Sequence, residues 1–297
     1  MTNDTSTPAP TPLAGPRASG RKSALRRCLS HPSTIIGGTI VVFFVLVAVF
    51  APLIAPFDPL ASNWGNVRQP PSALHWFGTD DLGRDVLSRV IFGARASLAA
   101  GIIAVALAIA LGVPLGLMAG YFGGLVDMVI SRLTDALLAV PFLVLAIALA
   151  AFLGPSLQNA MIAIGVAAMP IFIRLTRGQV LSIKNEDYVT AVRGLGVRDR
   201  AIIVSHILPN VLAPIVVQGT ITMAVAVLAE ASLAFLGLGQ MPPAPSWGSM
   251  LDIARQFLTQ APWMAVWPGV AIIAIVLGFN LLGDGLNDTL TPQQEDG

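Results

Sequence analysis

Charge is scarce in this sequence: Asp, Glu, Lys and Arg make up 11% of its 297 residues, against roughly a quarter in soluble chains. That is too little to cover a water-facing surface. A single cysteine, Cys28, excludes an internal disulfide. Three histidines and two tyrosines leave little material for a His-rich metal site or a dense polar reaction centre, so no catalytic residue, cofactor-binding residue or metal ligand is assigned. A net charge of +1 argues against nucleic acid as a partner, because such binders need a basic surface to neutralise phosphates. What is abundant is apolar. Hydrophobic residues reach 55% and the mean hydropathy +0.77, which points to an integral membrane protein.

Crossing the hydrocarbon core takes about 20 apolar residues in a helix, and stretches of that kind predict an all-α, polytopic membrane protein with six transmembrane helices. The first span covers residues 34–57 and ends in Pro52, Pro56 and Pro59. The second lies between Arg95 and Asp127. The charge-free stretch between Asp135 and Arg174 is long enough for two crossings joined by a tight hairpin at Gly154, Pro155 and Ser156. A fifth span follows Pro209 and reaches Glu230, and a sixth covers residues 264–282. Residues 1–33, with Arg21, Lys22, Arg26 and Arg27, read as a disordered basic tail. The apolar run behind them is too extended for a cleavable signal and reads as a retained anchor. Residues 58–96 form an extracytoplasmic segment, 97–288 a five-span core with an inner loop at 175–208, and 289–297 a second tail. Placing both termini in the cytoplasm puts twelve of the 17 Lys and Arg residues inside and five outside, as the positive-inside rule requires.

In the second half of the extracytoplasmic segment Val86, Leu87, Val90, Ile91 and Ala94 share one helical face. This predicts an amphipathic helix lying at the membrane surface, or one that only frames the next span. Thr79 or Asp80 is its expected cap, and Asp85 precedes Arg89 at pairing distance. Gly112, Gly116, Gly120 and Gly124 recur at four-residue spacing and give the second span a face without side chains, a helix-packing device. Glu230 lies in or near a span; it is read either as a pathway or gate residue, or as an acid at the outer helix end bonded near Ser232. Residues 15–23 nearly spell a phosphate-binding loop, but with one residue too many and neither the strand nor the helix that would aim its amides. ATP, if involved, is then bound by another chain.

The inner loop is charged and helix-competent, and longer than a mere connection requires. It predicts a short helix over residues 184–195, a break at Gly196, and a second helix over 199–208 ended by Pro209 and Asn210. The segment Thr190-Ala191-Val192, then Gly196, then His206-Ile207-Leu208-Pro209 keeps the spacing of the loop motif in permeases of binding-protein-dependent importers. That motif reads E-A-A, three residues, G, nine residues, I-x-L-P. The departures are Thr190 for the acid, Val192 for the second alanine and His206 for isoleucine. Further stretches around Phe77 to Asp85, Leu153 to Leu157, Phe235 to Gly239, Pro245 to Gly248 and Phe279 to Gly285 also match. The sequence therefore resembles the permease subunits of ABC importers for dipeptides, oligopeptides and nickel, and within them the second of the two permease types.

The resemblance implies a type I ABC importer permease fold and one half of a translocation pathway for short peptides or nickel chelates. The implied partners are a second homologous permease subunit, two cytoplasmic ATP-binding subunits and an extracytoplasmic solute-binding protein. It further implies an ATPase-coupling role for Asp187, Tyr188, Thr190, Ala191, Arg193, Gly194, Gly196, His206 and Pro209. Val197-Arg198 replaces the Ala-Ser pair common in relatives, so Asp199 is expected to cap the second loop helix in place of serine. The alternatives are an ion-coupled secondary transporter, for which no inverted repeat is visible, and a membrane scaffold.

Overall fold

The computed structural model describes residues 30–290, so the tail 1–33, with its basic cluster, and the tail 289–297 lie almost wholly outside the described residues. Pro32 opens the first helix, α1 (Pro32–Val49), where its missing N–H would have had no partner. The helix is interrupted at Phe50, and a single turn, α2 (Ala51–Ile54), follows. The first span is therefore shorter than the sequence suggested, because Pro52 and Pro56 stop the helix before the apolar run ends.

Next comes α3 (Val86–Phe122), capped by Asp85, whose side chain accepts the Ser88 N–H at 2.8 Å. The expected surface helix is corrected here: it is the first turns of α3 itself, with Val86, Ile91 and Ala94 buried. The expected caps and pair also change. Thr79 and Asp80 do not cap. Arg89 turns to Asp80 at 3.3 Å and to the Pro59 carbonyl at 2.9 Å, while Asp85 meets His75 at 2.9 Å.

Two helices, α4 (Gly124–Leu138) and α5 (Phe142–Leu153), then meet at a 92° bend. Ser156 caps α6 (Leu157–Ile183) by accepting the Asn159 N–H at 3.0 Å. The third crossing is thus the bent pair and not one straight helix after Asp135. Two short helices, α7 (Asp187–Gly194) and α8 (Asp199–Ile202), lead through a π-helical segment, Ile203–Ile207, into α9 (Leu208–Phe235). Pro209 does not end a helix. It stands in the first turn of α9, and the wider π turn before it accommodates a residue that cannot donate. A Ser246–Ser249 capping box opens α10 (Trp247–Ala254), and α11 (Trp263–Leu290) runs further at both ends than residues 264–282.

Five of the described helical stretches are long and apolar enough to cross a membrane, and the bent pair supplies up to a sixth. Lipid offers no hydrophobic drive between helices, so small residues and close packing hold such a bundle. Ala104, Ala108, Ala163, Ala168 and Phe172 are all buried where α3 lies along α6. A Cβ on Gly112 would stand 2.8 Å from the Met169 carbonyl oxygen, on Gly116 2.6 Å from Thr176 Cβ, and on Gly120 2.7 Å from Val180 Cβ. Gly124 is the exception: φ is +54°, nothing lies within 4 Å of a Cβ there, and it is the first residue of α4, beyond the break at Gly123.

Candidate functional site

The segment between α6 and α9 is built as a clip. In α7 the acid Asp187 stands in the first turn and Arg193 in the last, the order that the helix dipole favours. Val189 is fully buried and Val192 half-buried against the core, which seats one side of the helix. The other side presents Asp187, Tyr188, Thr190, Ala191, Arg193 and Gly194 to the exterior, and Leu195 behind them is 82% exposed. Gly196 has φ +74° and its N–H donates to the Arg193 carbonyl at 3.0 Å. No atom lies within 4 Å of where its Cβ would stand, so within the chain the glycine serves the backbone turn and not a close approach.

Polar contacts fasten this segment to the ends of two spans, α3 and α9. The Lys184 ammonium donates to the Gly120 carbonyl at 2.8 Å, at the end of α3. The Tyr121 hydroxyl donates to Asp199 Oδ1 at 2.5 Å, and the Arg193 guanidinium lies 5.4 Å over the Tyr121 ring. Asp199 is therefore not the cap expected for α8; Arg198 occupies that position without a side-chain bond. On α9, Asn210 Nδ2 donates to the Tyr188 hydroxyl at 3.2 Å and to the His206 carbonyl at 2.6 Å. His206 is half-buried and Pro209 exposed. Beneath, Arg177 makes a two-bond clasp on Asp127 at 2.5 and 2.7 Å, holding α4 to α6. Sequence reasoning missed Lys184, Tyr121 and Asn210, whose partners are remote along the chain, and Leu195, whose signal is an apolar side chain directly before a helix-breaking glycine.

Glu230 lies at the opposite end of the bundle and is fully buried. Its Oε2 accepts the Ser97 hydroxyl at 2.9 Å, and Ser97 Oγ accepts the Trp247 N–H at 3.3 Å. Trp247, itself fully buried, donates its indole N–H to the Val90 carbonyl at 2.9 Å. The expectation of a bond near Ser232 is corrected: the Ser232 hydroxyl donates to Leu228 of its own helix, whereas Glu230 joins α9 to α3 and the start of α10. Among the described residues no group of three or more His, Cys, Asp or Glu side chains could hold a metal ion.

A bundle of helices long and apolar enough to cross a membrane, with a short exposed helix at one end, defines a polytopic membrane protein. The family model for the binding-protein-dependent transport system inner membrane component matches residues 112–295, and one for the N-terminal TM domain of oligopeptide transport permease C matches residues 20–71. The dipeptide transport system permease protein DppC of Alkalihalophilus pseudofirmus is 46% identical over 92% of this chain and 90% of that protein. The glutathione transport system permease protein GsiD of Shigella dysenteriae is 44% identical over 90% of this chain and 89% of that protein. In fold, the chain is similar to a solved inward-facing structure of the MetNI methionine ABC transporter, with a TM-score of 0.55 and 21% identity over 66% of this chain and 93% of that one. The chain belongs to the family of binding-protein-dependent transport system inner membrane components and is a permease subunit of an ABC importer. Family membership removes the secondary-transporter and scaffold alternatives.

Proposed function

We propose that the chain forms one half of a translocation pathway for short peptides, paired with a second, homologous permease subunit. Two ATP-binding subunits dock on the α7 segment from the cytoplasm, and an extracytoplasmic binding protein delivers the solute. Both termini are cytoplasmic in this reading, which the twelve-to-five distribution of Lys and Arg supports. ATP is bound and hydrolysed by the partners. The observation that carries the reading is the exposed face of α7, fastened at Lys184, Arg193 and Tyr188 to the ends of α3 and α9. A displacement of α7 by a closing ATPase pair is passed to the spans because the clip has little slack. The solute is transferred when closure of the ATPases favours the outward-open over the inward-open bundle, since only differential affinity for two states shifts their balance. Short peptides rank above nickel chelates because similar permeases are named for dipeptide and glutathione transport.

The test is reconstitution of this chain with the second permease, the ATPase subunits and the binding protein in proteoliposomes. Uptake of dipeptides, glutathione and a nickel chelate is measured together with ATP hydrolysis. Binding-protein-dependent uptake of a short peptide that stimulates hydrolysis is expected. Uptake that persists without the ATPase subunits, or that follows an ion gradient alone, contradicts the proposal.

A further inference from the structure

Five arginines occupy the side of the chain opposite the α7 segment, and four of them are compensated. Arg68 lies 4.8 Å over the Phe257 ring, Arg84 meets Asp80 at 2.6 Å, Arg89 meets the same acid at 3.3 Å, and Arg255 meets Asp252 at 2.9 Å. Arg95 is exposed and makes no hydrogen bond or ion pair with any described residue. It nevertheless lies on α3, inside a helix apolar enough to cross the membrane. A guanidinium there is costly unless its long stem carries it to the interface and a counter-charge meets it.

The depth of Arg95 follows from its neighbour helix. With 18 residues α1 is about 27 Å long at 1.5 Å per residue, close to the roughly 30 Å of the hydrocarbon core. Val49, its last residue, therefore lies near one end of that core. Val49 and Arg95 border the same groove, a cavity of about 340 Å³ that continues between α1 and α3 past Val45, Ala48, Leu98, Ala99 and Ile102. Apart from Arg95 its lining is apolar, and no acid lines it. The small side chains of Ala48 and Ala99 leave the space. At its edge the groove is continuous with the outward-facing apolar surface of the two helices, where Val42, Leu46 and Ile103 are exposed.

A lone cation at the membrane boundary above an apolar slot that runs into the hydrocarbon matches one class of ligand. We propose that the α1–α3 groove is a phospholipid site, in which the Arg95 guanidinium holds the phosphate and an acyl chain lies along Ala48 and Ala99. Guanidinium and phosphate pair through two parallel charge-assisted hydrogen bonds, and the lipid supplies the counter-charge that the chain itself withholds. The lipid also bridges the N-terminal span to the helix that carries Ser97, filling a gap that the protein leaves open.

The proposal is tested on the full-length chain, purified with its partner permease and ATPase subunits and stripped of lipid. Phosphatidylglycerol is titrated in, and bound molecules are counted by native mass spectrometry. Arg95→Gln is expected to weaken the retained lipid about tenfold, the loss typical of a charge-assisted bond, and Arg95→Lys to restore most of it. Ala99→Phe leaves the charge in place, fills the slot and is expected to weaken binding as well. A photo-crosslinking group in place of Ile102 is expected to capture lipid. Wild-type lipid retention by both Arg95→Gln and Ala99→Phe overturns the site. So does capture of the partner permease chain alone at position 102, which would make a protein group the occupant.

Discussion

Glu230 places a carboxyl group in the closed part of the bundle, where its Oε2 accepts the Ser97 hydroxyl at 2.9 Å. An amide of the same length still accepts that hydroxyl. Glu230→Gln is therefore expected to assemble normally and keep most of the wild-type uptake. Glu230→Leu, which leaves the buried Ser97 hydroxyl without its acceptor, is expected to cost about 1–3 kcal/mol of stability. Thermal unfolding of the purified permease pair, read beside uptake, checks both. A Gln variant that is fully assembled but inactive in transport would make Glu230 a pathway or gate residue. The sequence singled out Glu230 because it ends a charge-free stretch, but the partner was not legible. Ser232 is near in sequence, yet on a helix its hydroxyl bonds back to Leu228. Ser97 is 133 residues away, and no periodicity along one helix reveals which residue of another helix faces it.

At the scale of the helices, the four-residue glycine spacing was legible as a packing face, and it is the contact of α3 with α6 at Gly112, Gly116 and Gly120. Its end was not legible, because spacing alone does not tell where a helix stops; Gly124 lies past the turn. Gly116→Val drives a side chain against Thr176 Cβ and, at 2.7 Å, the Ile173 carbonyl oxygen, which cannot rotate away. The expected cost is about 1–3 kcal/mol from overpacking, seen as a lower unfolding temperature and a smaller monodisperse fraction. Gly178→Ala, on α6 with nothing within 4 Å of its Cβ, is expected to be neutral or stabilising. Equal behaviour of the two variants would show that the α3–α6 contact is loose. The start of α3 was misread for a related reason. A 3.6-residue period marks a buried face but not the direction of the axis, so a helix on the membrane surface and one that runs on into it look alike. The 92° break between α4 and α5 has a local cause in Pro141, which stands at the cap of α5. The charge-free stretch around it hid that break, because hydropathy counts apolar residues without regard to where the chain turns.

For the molecule as a whole, hydropathy and the loop motif together made the class and the family legible. The spans are apolar enough to count, and the segment from Thr190 to Gly196 holds a helix and a turn where the spacing put them, whereas Pro209, expected to end a helix, stands in the first turn of α9. What the motif could not convey is how the segment is mounted, since Lys184, Tyr121 and Asn210 bond to residues far along the chain. The central claim is that the exposed face of α7 and its neighbour Leu195 engages the ATPase subunits. Leu195 tests it most directly. Being 82% exposed, it can be changed with little effect on the fold, whereas burying a leucine at an interface contributes about 1.5–3 kcal/mol, at least tenfold in affinity. The measurement is the amount of ATPase that co-purifies with the intact permease pair carrying Leu195→Asp, beside peptide uptake in proteoliposomes. The account predicts a fully assembled permease pair with at least tenfold less bound ATPase and with uptake lost. A Leu195→Asp transporter that retains its ATPase subunits and takes up peptide at the wild-type rate would contradict it.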